Sequence, residues 1–377
     1  MRALRVVSAL AVLLAVCGCF RWSFKLDEGK KGDGDQGDRP AQLPSRRGQD
    51  AGGGGDWKDI ARDVAGRIFL EAEHGAVFYA FDTLAYPNEP VDLTAKLISA
   101  RDLKPIPNVT VGIYRGQWLA GHARSNARGY ARVRWVPPKA GNYTFTARIV
   151  SVPAGRYAEL LEVSAAPMLV AARTKETPFV VIDLDHTVVD SSFFRVLLDG
   201  GTPMADSVAV TKRIAKAYSI IYLTHRPDVL TRKTKLWLRR HGYPPGPLLV
   251  SDMEDIFDSG RFKTAKLAAL QKAFPATAIG IGDKHSDAQA YVDHGLVAYL
   301  IPHYKRKPKD MRKAAQKIAR LRGRGRLHVV SDWRQIEAGI FGKRSFPASA
   351  FCRSLSRQAT EIEARQRQRK DRGDDDD

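Results

Sequence analysis

The chain has 377 residues, 44% of them apolar, enough for genuine cores and for two domains with a tail. Its formal charge of +20 asks for an anionic partner, a membrane surface or nucleic acid. Only three cysteines occur, two of them within the first 19 residues, which excludes a disulfide framework.

The first residues read as an export signal. Arg2 and Arg5 supply positive charge, and residues 6–16 form an apolar core too short to span a bilayer comfortably. Val16-Cys17-Gly18-Cys19 then resembles a bacterial lipobox, with Gly18 before the cleaved bond and Cys19 as the lipidation site. The plainer alternative is an ordinary signal peptide with two incidental thiols. Residues 1–19 are thus expected to be a signal peptide with lipobox. Residues 20–60 are rich in Gly, Asp, Lys and Arg and lack apolar periodicity, so they are expected to be a disordered linker.

Residues 67–165 change to short alternating runs. Val91, Leu93, Ala95 and Leu97 alternate with polar residues, as do Ala131, Val133 and Trp135, and Tyr143, Phe145, Ala147 and Ile149. Period two with turn residues between predicts antiparallel strands in a sandwich. The segment loosely resembles bacterial immunoglobulin-like domains. Trp118, Trp135 and Tyr143 are expected to be core or edge packing. The domain is read as a spacer or platform.

Residues 176–340 carry four polar signals in order. Asp183-Leu184-Asp185-His186-Thr187 follows the apolar run Phe179-Val180-Val181-Ile182. Thr224 closes Ile220-Ile221-Tyr222-Leu223, Lys263 opens a helical stretch, and Gly282-Asp283-Lys284-His285-Ser286-Asp287 follows Ala278-Ile279-Gly280-Ile281. Helices are predicted over 206–217, 228–241 and 263–274. Strands alternating with helices imply a parallel sheet, whose carboxyl edge is where ligands bind.

These four signals resemble the haloacid dehalogenase (HAD) superfamily. The resemblance implies an α/β, Rossmann-like parallel sheet, here without a large cap because each gap holds about one helix. It implies Asp183 as a nucleophile forming a phospho-aspartate and Asp185 as general acid, then base. Thr187 would fix the loop, Thr224 would donate its hydroxyl to the phosphoryl group, and Lys263 would bind that group. Asp283 and Asp287 would complete a Mg²⁺ site with Asp183 and the backbone carbonyl of Asp185.

A finer resemblance covers residues 178–302. Ile221-Tyr222-Leu223-Thr224-His225-Arg226-Pro227, Gly260-Arg261-Phe262-Lys263-Thr264 and the Asp283 to Asp287 stretch are similar to lipin-type domains. That group includes lipins, the domain of phosphatidylinositol-transfer proteins, and fungal actin-patch phosphatidate phosphatases. Arg226 is thereby a substrate-binding candidate beside Thr187. His186 stands where lipins commonly have Gly. Residues 305–326 are dense in Lys and Arg with Asp310 the only acid, which suits an anionic membrane. No nucleic-acid module accompanies the patch. Residues 341–377 form a charged tail.

Three functions follow as expectations. The first is a Mg²⁺-dependent phosphatase acting on phosphatidate, membrane-tethered in the cell envelope. The second is an exported acid phosphatase or nucleotidase. The third is a non-catalytic phosphatidate-binding module.

Overall fold

The computed structural model describes residues 72–155, 157–190, 201–251, 259–323 and 325–371. The expected leader, the lipidation candidate Cys19 and the linker lie outside the described residues.

Eight strands come first: β1 (Ala76–Ala80), β2 (Thr83–Ala85), β3 (Val91–Ser99), β4 (Thr110–Arg115), β5 (Trp118–Arg124), β6 (Tyr130–Trp135), β7 (Gly141–Ser151) and β8 (Ala166–Ala172). They form two sheets, ordered β1-β3-β6 and β2-β8-β7-β4-β5. Every pairing is antiparallel except β2 on β8. The period-two pattern explains the layering. Along β7, Tyr143, Phe145, Ala147 and Ile149 are buried, while the residues between them face outward. These side chains meet Leu93, Leu97, Ile113 and Met168 in one core. Trp135 packs edge-on against Tyr143 and Phe145, each at 4.9 Å. Trp118 takes the edge position of the two expected. It starts the edge strand β5 just past a tight hairpin and is 55% exposed. β8 completes the larger sheet with mostly small residues and lies outside the range 67–165.

Six strands then build a parallel sheet: β9 (Phe179–Ile182), β10 (Ser219–Pro227), β11 (Leu248–Ser251), β12 (Thr277–Gly282), β13 (Val297–Leu300) and β14 (Leu327–Val329). The helices are α1 (Ser207–Ile214), α2 (Thr231–Arg240), α3 (Ser259–Ala273), α4 (His285–Asp293), α5 (Pro308–Ala319), α6 (Trp333–Ile340) and α7 (Ala348–Asp371). Strand order is β11-β10-β9-β12-β13-β14. All four residues of β9 are buried because helices cover both faces. Phe179 and Val181 pack with Leu267, Leu270 and Phe274 of α3. Val180 and Ile182 pack on the other face with Val210 and Ile214 of α1 and with Trp333 and Ile336 of α6.

Two details differ from the expected elements. Lys263 lies in the second turn of α3 rather than at its start, because the helix already runs from Ser259 and Phe262 packs into the core. Thr224 does not end its strand: β10 continues to Pro227, with its register against β11 broken between Leu223 and Pro227.

The sandwich and the parallel sheet meet along a polar seam. Asp82, buried, accepts the amides of Leu169 (2.8 Å) and Leu248 (3.0 Å) and pairs with Lys235 of α2 at 2.6 Å. The same Lys235 donates to the carbonyls of Ala80 and Pro167. Lys96 of β3 pairs with Asp228 at 2.6 Å.

Candidate active site

β9 lies in the middle of the sheet, with β10 and β11 on one side and β12 to β14 on the other. The order in which successive strands are added reverses there, so the carboxyl ends of β9 and β12 open onto the crevice where α/β sheets bind ligands. The segments that follow those two strands carry the acidic residues.

Asp183 leaves β9 with its amide donating to Ile281 of the neighbouring strand at 2.9 Å. The chain then turns tightly. The amides of Thr187, Val188 and Val189 all reach the carbonyl of Leu184, and His186 takes the left-handed conformation with φ 55°. A residue with Cβ is strained in this conformation, which glycine adopts freely.

On the other strand, Asp283 follows β12 and Asp287 sits in the first turn of α4. β12 approaches α4 closely enough that a Cβ on Gly280 would lie 2.1 Å from the ring of Tyr291. The ring thus rests directly on the strand. One helical turn earlier, Asp287 is held toward the crevice.

Carboxylate oxygens of Asp183, Asp283 and Asp287 lie within 4.8 Å of one another, and all three residues are buried. Lys263 reaches in from α3, donating to Asp183 Oδ1 at 2.7 Å and to Asp287 Oδ2 at 2.5 Å. Burial drives Asp183 up to about 6, with Lys263 pulling it down and Asp287 and Asp185 pushing it up. Burial, then Asp183 and Asp287, push Asp283 up to about 8. Burial alone would lower Lys263, but the Asp183 and Asp287 carboxylates hold it well above the usual ammonium value.

Three acids with one ammonium leave net negative charge in a buried crevice. Asp283 Oδ1 is buried with no hydrogen-bond partner. An oxygen-only donor set with an orphaned carboxylate oxygen fits a hard divalent cation such as Mg²⁺.

Asp185 stands apart from this trio. Its carboxylate is half-buried and grips Arg226, with Nη2 at 2.7 Å and Nε at 3.3 Å. Arg226 is itself buried and also donates to Thr234. Thr224, fully buried two residues earlier on β10, accepts the Arg226 amide at 3.3 Å. Thr187 is buried and its hydroxyl reaches the Asp185 carbonyl at 3.5 Å. The structure therefore makes two clusters. One joins Asp183, Lys263, Asp283 and Asp287. The other joins Asp185, Thr187, Thr224 and Arg226.

His303 was not legible as a site residue. It lies past β13, and its ring stacks on His186 with centroids 4.3 Å apart. Burial and His303 hold His186 below the ordinary imidazole value. No motif marks His303; only the adjacency of β13 to β12 brings it to this edge.

Residues 180–301 match the family model described as PITM 1-3, LNS2 domain. That segment is LNS2-like. The match runs from β9 to β13 and includes both clusters, and it leaves the sandwich unmatched. By this match the segment is lipin-like, and its parallel sheet with helices on both faces is consistent with a HAD-like α/β domain. No curated protein sequence matches this chain significantly. Among solved structures, a chain of the Pnkp1/Rnl/Hen1 RNA repair complex is similar at 17% identity, covering 35% of this chain and 44% of that chain, with TM-score 0.31. The D0-D1 domain of intimin is similar at 19% identity, covering 26% and 46%, with TM-score 0.19. This chain spans under half the length of either, and neither likeness bears on its activity.

Proposed function

We propose that the LNS2-like segment is a Mg²⁺-dependent phosphatase acting on phosphatidate, carried by an exported bacterial lipoprotein anchored through Cys19 in the cell envelope. The observation that carries the catalytic reading is the separation of roles between the two aspartates of the first signal. Asp183 sits in the buried trio beside Lys263, whereas Asp185 lies outside it on Arg226.

Asp183, Asp283 and Asp287 would hold the cation, with the Asp185 carbonyl beside them. When bound, Mg²⁺ supplies positive charge against the carboxylates and the phosphate. Asp183 attacks phosphorus, forming an acyl-phosphate bond as the phosphorus–oxygen bond to the leaving alcohol breaks. Asp185 gives its proton to that alkoxide, then takes a proton from the water that hydrolyses the phospho-aspartate. Lys263 balances charge next to Asp183. Thr224 and Arg226 line the Asp185 side, where the leaving group departs.

The cationic stretch 305–326, including α5, supports an anionic lipid surface as the place where substrate is presented. The leader with Cys19 supports the envelope location. No helix among the described residues is long and apolar enough to cross a membrane.

One observation favours the third of the expected functions, a phosphatidate receptor without turnover. A carboxylate held by two guanidinium bonds must leave Arg226 before it can give a proton. Phosphate release from phosphatidate vesicles and from soluble nucleotides, with Mg²⁺ and Asp183→Asn as control, separates the readings. Release from phosphatidate that Asp183→Asn abolishes is the expected result. Release mainly from nucleotides makes the chain a scavenging phosphatase. Phosphatidate binding with no release from either makes it a receptor.

A further inference from the structure

The sandwich carries an unusual charge distribution. From Lys104 to Tyr157 the sequence has nine Lys and Arg and no Asp or Glu. That stretch forms β4, β5, β6 and β7. Solvated surfaces ordinarily mix both signs, so a single-sign run of this length creates a field for anions.

The larger sheet adds a second, independent feature. Its inner face takes Tyr143, Phe145, Ala147 and Ile149, so Arg148 and Val150 point outward. Tyr114 pairs with Leu119 across the β4–β5 hairpin, and Arg115 pairs with Trp118. Trp118 (55%), Leu119 (43%) and Val150 (41%) are among the most exposed large apolar residues of the described chain. Gly112 brings Val150 and Tyr114 together: a Cβ there would lie 2.8 Å from the Tyr114 ring and 3.1 Å from Val150. Arg148 lies over the Tyr114 ring at 5.3 Å, and Arg115 over Tyr143 at 4.9 Å. Trp118 and Arg115 thus share the inner side of the sheet beyond the core, and Leu119, Tyr114, Arg148 and Val150 share its outer face, so both sides of this edge carry apolar groups beside guanidinium groups, with no acid in the whole stretch.

We propose that this hairpin docks edge-on onto an anionic lipid bilayer, with Trp118 and Leu119, which flank the edge strand on its two sides, entering the headgroup region and Arg115 and Arg148, likewise on opposite sides, meeting lipid phosphates. Charge complementarity selects an anionic partner. The exposed Leu119 and Val150 select a bilayer over nucleic acid, because aliphatic side chains gain by leaving water for an apolar layer and gain little against a phosphate backbone. Tryptophan suits the boundary, with an apolar ring body and one polar N–H. The sandwich is then a membrane contact in its own right, separate from the 305–326 stretch and independent of any phosphatase activity.

The test uses the full chain with Cys19→Ser, so that no acyl group tethers it, and vesicles of phosphatidylcholine with or without phosphatidylglycerol. Wild type should bind the phosphatidylglycerol vesicles. Trp118→Ser with Leu119→Ser should weaken binding about tenfold, an amount that partial burial of two such side chains supplies. Arg115→Gln with Arg148→Gln should reduce the dependence on phosphatidylglycerol. Both variants share the leader and the 305–326 stretch with wild type, so a difference belongs to the hairpin, and unchanged melting shows that they fold. In vesicles with brominated acyl chains, Trp118→Phe should remove most of the fluorescence quenching. Wild-type affinity in both double variants would overturn the proposal. So would quenching that survives Trp118→Phe, or a concentration-dependent dimer that Leu119→Ser dissolves while vesicle binding stays intact.

Discussion

Lys96 of the sandwich donates to Asp228 at 2.6 Å, and Asp228 lies two residues past the arginine that grips Asp185. Asp228 is completely buried, and burial alone would lower Lys96, but the Asp228 carboxylate raises it above its ordinary value. A side chain of the sandwich therefore anchors the residue just past the end of β10, the strand that carries Arg226. Removing one partner of a buried pair strands the other, at a cost of about 3–5 kcal/mol. Lys96→Met should destabilise the protein by about 3 kcal/mol in urea unfolding. A loss below about 0.5 kcal/mol would mean that the pair is no more than a surface bridge.

Lys235 welds the same seam at a second place. Its three donors go to Asp82 and to the carbonyls of Ala80 and Pro167, which uses its full capacity. Lys175, exposed between β8 and β9, offers trypsin a cut between the two halves. After such a cut, the wild-type halves should stay together on gel filtration. With Lys235→Met they should separate, because Asp82 and two carbonyls lose their shared cation.

Much of this was readable beforehand, for physical reasons that differ by element. β9 and β12 announced themselves as unbroken apolar runs because helices cover both sheet faces, and the polar residues just past them had to lie at the carboxyl edge. β7 was readable because period two survives wherever one face is buried. β8, with Ala166, Ala171 and Ala172, carries little periodic signal, and its pairing with β7 is set by a long-range ladder. The seam pairs Asp82–Lys235 and Lys96–Asp228 join residues more than 130 positions apart, so no local spacing marks them. Trp118 was legible as core or edge but not as which, because a hairpin tip and a core strand share the same aromatic composition.

His186 gives a backbone test of the loop. At φ 55° a residue with Cβ carries a penalty of about 1–2 kcal/mol that glycine avoids. His186→Gly should therefore be more stable than His186→Ala by about 1 kcal/mol in urea unfolding, since both lose the stacking on His303. Equal stabilities would show that the loop relaxes out of the left-handed conformation.

Gly280 tests the packing that seats Asp287. A methyl group there meets the Tyr291 ring at 2.1 Å, and that ring is wholly buried. Gly280→Ala must push α4 away from β12, with an overpacking cost of about 1–3 kcal/mol. The displacement moves Asp287 as well, so Mg²⁺ affinity measured by calorimetry should fall in the same variant. Replacing Tyr291 by Leu alongside Gly280→Ala should restore part of the stability.

Asp183 and Asp283 should make stability and the affinity for a bound cation depend on pH in opposite directions. Burial raises Asp183 to about 6 and Asp283 to about 8, from an ordinary value of 3.8. Between roughly pH 4 and 8 the metal-free folded chain then holds more protons than the unfolded chain. Its stability falls as pH rises through that window, since stability rises with pH only where the unfolded state binds more protons. A cation must displace those protons, so its affinity rises over the same range. Melting curves without divalent ions should shift down from pH 5 to pH 8, and added Mg²⁺ should raise the melting temperature more at pH 8 than at pH 5. Asp283→Asn removes one raised carboxylate, so it should flatten the metal-free slope and weaken the response to Mg²⁺ together. A metal-free melting temperature that climbs from pH 5 to pH 8 in wild type would show that Asp183 and Asp283 are not held protonated, and the cation-binding reading of Asp283 would lose its support.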